Sequence, residues 1–126
     1  MLVVDDNEDA REMYRMYFEH VGLRIVTANN GREAITKTRR LKPDVVVMDL
    51  TMPVMDGWEA ARWMKDAPDL QDIPIIALTG RALRSPGDRE REHDFDAYVT
   101  KPCLPDDLFM IVQNAVDQRD RRRRRA

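Results

Sequence analysis

Five polar residues stand where apolar runs of the chain break off: Asp5, Asp6, Asp49, Thr79 and Lys101. MLVV runs into Asp5-Asp6, DVVVM into Asp49, IPIIAL into Thr79 and AYVT into Lys101. Each run reads as a β-strand, and the stretches between them carry helical periodicity. Strands alternating with helices imply an α/β protein with a parallel sheet, and open parallel sheets take their ligand at the carboxyl ends of the strands. Three carboxylates, a hydroxyl and an ammonium would then share one edge of one sheet. That set suits a divalent cation and a phosphoryl group.

The elements that must hold these residues can be read from local signals. Ala10, Met13, Tyr14, Tyr17, Phe18 and Val21 fall on one helical face, with Asn7 as N-cap and Gly22 at the stop position. RIVTA (24–28) is a second strand. Asn30 and Glu33 resemble a capping box for a helix carrying Ala34, Ile35, Thr38 and Leu41, which Pro43 closes. DVVVMD (44–49) is continuously apolar between its ends, as a strand buried on both faces should be. Trp58, Ala61 and Met64 or Lys65 mark a third helix, and residues 73–79 and 97–100 mark the last two strands. Pro105 at the first helical position, with Asp106 and Asp107 in the first turn, opens a final helix striped by Leu108, Ile111, Val112, Ala115 and Val116. Between Thr79 and Ala97 the composition supports only a long loop with a short helix at about 87–93.

Composition bounds the rest. The 126 residues suffice for one domain. The net charge of −2 conceals six arginines among the last eight residues, without which the chain would stand at −8. Cys103 is the only cysteine, so no internal disulfide can form and a reducing cytoplasm is the expected compartment. No apolar stretch approaches the ~20 residues of a membrane span, and no signal peptide pattern precedes the first strand.

VVDDN, DLTMPVMDG, ALTG and YVTKP, in this order and spacing, resemble the receiver domain of two-component response regulators over residues 1 to about 118. The resemblance implies a flavodoxin-like (βα)5 fold, a doubly wound five-stranded parallel sheet in the order 2-1-3-4-5. In that order the chain reverses between strands 1 and 3, opening a crevice flanked by Asp5, Asp6 and Asp49. By position in the motifs, Asp49 resembles the phosphoacceptor. Asp5, Asp6, Asp49 and the backbone carbonyl of Thr51 resemble the Mg2+ ligands, Asp6 as the more direct of the acidic pair. The resemblance also assigns Thr79 and Lys101 to the phosphoryl oxygens, Lys101-Pro102 to the family's Lys-Pro step, and Thr79 with Tyr98 to a conformational switch. Cys103 reads as a small half-buried residue, and Arg81 as a bulky cation beside the site.

The implied function is to accept a phosphoryl group from a histidine kinase or a histidine phosphotransfer domain and to switch a surface that contacts an output protein. Self-phosphorylation and self-dephosphorylation would be its only enzymatic activities. A homodimer through the short helix at 87–93, the fifth strand and the last helix fits the same reading, and no membrane partner is implied. A phosphatase of the haloacid-dehalogenase type is the rival. It needs a second Asp two residues after the nucleophile, and Thr51 stands there. Residues 119–126 are expected to form an arginine-rich tail, disordered or a frayed helix end. A basic-tailed nucleic-acid adaptor is disfavoured because no aromatic residue interleaves the arginines.

Overall fold

The structure, a computed structural model, describes residues 1–50, 52, 54–80 and 94–125. Thr51, Arg81 and the short helix expected at 87–93 lie outside the described residues. Five strands, β1 (Leu2–Val4), β2 (Val26–Ala28), β3 (Val46–Asp49), β4 (Ile75–Thr79) and β5 (Ala97–Thr100), form one sheet in the order 2-1-3-4-5. Every neighbouring pair is parallel. Four helices cover it among the described residues: α1 (Glu8–His20), α2 (Gly31–Leu41), α3 (Gly57–Asp66) and α4 (Pro105–Arg125).

Alternation along the strands divides the core in two. Leu2, Val4, Val46, Met48, Ile75 and Ala77 face α2 and α3, where Ala34, Ala60, Ala61 and Met64 meet them. Val3, Val47, Ile76, Leu78 and Val99 face α1 and α4, meeting Tyr14, Phe18, Leu108, Val112 and Ala115. β1, β3 and β4 are buried along their whole length, which is why their sequences are apolar runs rather than alternating ones.

Each of the first three helices starts on a side chain that accepts from its own first turn. Asn7 accepts from Ala10 N at 3.0 Å, Asn30 from Glu33 N at 2.9 Å and Asp56 from Glu59 N at 2.9 Å. Caps of this kind stabilise by about 1 kcal/mol each. The box at Asn30 is displaced by one residue: Glu33 Oε2 accepts from Asn29 N at 3.4 Å, not from Asn30 N.

The structure departs from expectation in several places. Met13, Val21 and Leu41 are 45%, 39% and 46% exposed, so the buried stripes of α1 and α2 are narrower than their apolar stripes. β4 starts at Ile75 rather than Ile73 because Pro74 has no N–H to give a ladder; its carbonyl instead accepts from Val46 N at 2.9 Å. The largest departure is at the C-terminus. α4 continues through the arginines to Arg125, and Arg119 is only 6% exposed rather than part of a solvated tail.

Candidate functional site

β1 and β3 are neighbours at the centre of the sheet, and their helical connections leave to opposite faces. The crevice this creates opens at the residues that follow Val4 and end β3. Asp5 immediately follows β1 and Asp49 is the last residue of β3. With Asp6 they bring one carboxylate oxygen each to within 4.8 Å of one another. Asp5 and Asp49 are buried, whereas Asp6 is exposed at the rim.

Lys101, one residue beyond β5, reaches across to the same cluster. Its Nζ donates to Asp5 Oδ2 at 3.0 Å and to Asp49 Oδ2 at 3.4 Å. Burial lowers the Lys101 pKa, but the hydrogen bond to Asp5 and the charges of Asp49 and Asp5 outweigh it and raise it overall. The ammonium is therefore held charged between two buried carboxylates. The Lys101–Pro102 peptide is cis.

Backbone contacts fix the acidic residues. Asp5 Oδ1 accepts from Asn7 N at 2.9 Å, and Asp5 N donates to Ala28 O at 3.1 Å. Arg11 Nη1 donates to the Asp5 carbonyl at 2.7 Å, a contact that motif reading missed. The signal was present, since Arg11 lies four residues after the Asn7 cap and so one turn above the strand end. Gly57 has a similar hidden role. A Cβ there would lie 2.3 Å from the Asp49 carbonyl oxygen, so only glycine lets α3 start against the end of β3. Gly57 N also donates to Leu50 O at 3.2 Å.

Thr79 ends β4 and is 7% exposed; its carbonyl accepts from Lys101 N at 2.7 Å. Asp49 pairs with Leu78 in register, which puts Thr79 one residue beyond the level of Asp49. Tyr98 lies away from the carboxylates. It pairs with Ala77 and packs on the α2–α3 side of the sheet, so it shares a face with Thr79 two residues further on. Its ring sits 5.3 Å from that of Phe95 and 6.2 Å from that of Trp58. Cys103 is half-buried, and its carbonyl accepts from Tyr14 Oη at 3.3 Å.

The donor set is all hard oxygen, which fits Mg2+. The sequence profile of the response regulator receiver domain matches residues 1–113. The chain belongs to the response regulator receiver family. The polar-differentiation response regulator DivK of Brucella anthropi is 34% identical over 102 residues, covering 81% of this chain and 83% of the relative. Among solved structures, the receiver domain of a signal transduction histidine kinase from Syntrophus aciditrophicus superposes with a TM-score of 0.82 at 34% identity, over 93% of this chain and 89% of that one. The receiver domain of a sensor histidine kinase from Pseudomonas aeruginosa gives 0.82 at 30% identity, over 92% and 95%; that structure holds a magnesium ion in its active-site cleft. The flavodoxin-like fold and the receiver motifs expected from the sequence are thus borne out. This receiver domain has the role of a phosphoacceptor in two-component signalling. No helix of the described residues is long and apolar enough to cross a membrane.

Proposed function

We propose that Asp49 is the residue that takes the phosphoryl group, from a histidine kinase or a histidine phosphotransfer domain. The observation that carries this is the ammonium of Lys101 poised between the carboxylates of Asp5 and Asp49 at the mouth of the crevice. An Asp49 carboxylate oxygen attacks the phosphorus of a phosphohistidine; the new P–O bond forms as the P–N bond breaks, and the imidazole leaves. Both reactants are anionic, so the site must supply positive charge. Asp5, Asp6, Asp49 and the carbonyl of Thr51 would hold Mg2+, with Asp6 open to direct ligation and Asp5 already engaged by Asn7 N and Lys101. Mg2+ there would neutralise the phosphoryl oxygens and orient them for in-line transfer.

Lys101 has to move only from Asp49 Oδ2 to a phosphoryl oxygen attached at that same carboxylate. Thr79 donates its hydroxyl to a second oxygen. That pull opens space on the face it shares with Tyr98, and rotation of the Tyr98 ring there changes the surface at β5, the edge strand of the sheet. The output protein, or a second copy of this chain, binds that surface. Activity is confined to self-phosphorylation and self-dephosphorylation in the cytoplasm, because Thr51 stands where a phosphatase would need its acid/base Asp.

Incubation with Mg2+ and acetyl phosphate, followed by intact mass, tests the assignment. One added phosphate is expected, lost in alkali and absent in Asp49→Asn. An adduct that survives base treatment, or that forms equally in the variant, would place the acceptor elsewhere.

A further inference from the structure

The arginines of α4 are not a loose appendage. Arg119 is buried and donates from Nη1 to Asp44 O at 2.9 Å, tying the helix to the start of β3, and from Nη2 to Asp120 Oδ1 at 3.0 Å. One turn on, Arg122 and Arg123 line a cleft of about 220 Å3 with Arg119 and Lys65, faced by the carboxylates of Asp72 and Asp96. Four cations thus surround a space with two anions. Lys65 is bound to Ile73 O and Asp96, and Arg122 comes no nearer than 3.9 Å to Asp96. Arg121, Arg123 and Arg124 make no ion pair among the described residues, and residues 121–124 are all exposed.

The cleft lies at the amino edge of the sheet, beside the starts of β3, β4 and β5. The acidic cluster lies at the carboxyl edge. Strands of four or five residues at ~3.3 Å per residue separate the two by roughly 15 Å. That exceeds the Debye length of ~8 Å at physiological salt, so the carboxylates of the crevice are largely screened from the arginines.

We propose that this cleft and its neighbouring arginines bind the phosphates of a nucleic-acid backbone, without reading bases. Consecutive helical residues point ~100° apart, so Arg122 and Arg123 line the cleft while Arg121 and Arg124 do not, and a duplex offers one anion per ~1.7 Å of axis to meet them. Guanidinium forks match phosphate oxygens two at a time. From Asp117 to Arg125 the chain has no apolar side chain to insert into a bilayer and no aromatic ring to stack on a base. Contact with the phosphate backbone is the mode that the charge of this segment favours.

The test uses the full chain and a fluorescent 20-base-pair duplex, with anisotropy read at 50 and 200 mM salt. About three or four neutralised phosphates predict a log–log salt slope near −3, a loss of roughly 60-fold between the two conditions. Two charge-matched double variants then separate the cleft from general charge: R122Q/R123Q on the cleft and R121Q/R124Q on the outer face, glutamine keeping helix propensity. The cleft pair is expected to lose about tenfold in affinity and the outer pair about threefold or less, with unchanged circular dichroism and unchanged labelling by acetyl phosphate. Equal losses would overturn the cleft as the site. No binding at 50 mM salt, or equal competition by polyglutamate at matched charge, would overturn the nucleic-acid assignment, the latter in favour of an acidic protein.

Discussion

Asp6→Asn should make the metal-free protein more stable while removing its response to Mg2+. The Asp6 carboxylate lies within 4.8 Å of those of Asp5 and Asp49. Two like charges at that separation repel by about 0.9 kcal/mol in a medium as polar as water and about 3.5 kcal/mol at an effective dielectric of 20. Asp6 is exposed, so the lower figure governs, and Lys101 already offsets part of the charge on both neighbours. A gain of about 1 kcal/mol is expected in urea denaturation at low ionic strength without Mg2+. Mg2+ at ten times its Kd should stabilise the parent by about 1.4 kcal/mol and the variant by far less, so the order of stabilities reverses when the ion is added. A variant less stable than the parent without Mg2+ would mean that Asp6 is held by attraction rather than strained by repulsion. A variant that keeps the full Mg2+ increment would remove Asp6 from the ligand set.

Gly57→Ala sets a Cβ 2.3 Å from the Asp49 carbonyl oxygen; backbone must shift, and we expect a loss of about 2 kcal/mol in urea unfolding together with slower acetyl phosphate labelling. Val54 holds φ at 70°, a left-handed conformation that a β-branched residue resists, so Val54→Asn should raise the urea midpoint by the equivalent of about 1 kcal/mol. Since the folded-state pKa of Lys101 is raised, its contribution is complete below the ordinary lysine value of ~10.4 and is lost as pH climbs through the higher folded value. Stability followed from pH 9 to 11.5 should therefore fall in the parent and fall less in Lys101→Met. A similar fall in both would show that the alkaline loss arises elsewhere.

What could be read in advance was whatever the chain encodes locally. Asn7 and Asn30 declare their helices because a cap needs only its own first turn. The buried strands declare themselves because both faces need apolar side chains. Asp5, Asp49 and Lys101 could be placed together because the topology forces strand ends into one edge. Contacts between elements were harder. Met13 and Leu41 extend apolar stripes that no facing helix covers. Gly57 carries no local mark of its role, which is to leave room for the Asp49 carbonyl. Arg119 was hidden by its own type: it continues the stripe of Leu108, Val112 and Ala115 at the right spacing, yet a guanidinium in a basic run reads as solvated. Its burial depends on Asp44, 75 residues away.

The clamp between Arg119 and Asp44 also settles where attachments can be made. Met1 N donates to Arg24 O ahead of β2, so the first residue and the end of α4 both emerge beneath the sheet, on the side turned away from Asp49. A fluorescent label, an affinity handle or a surface tether attached at Met1 or beyond α4 would leave the crevice between Asp5 and Asp49 open. A reporter intended to sense events in that crevice would have to be grafted elsewhere.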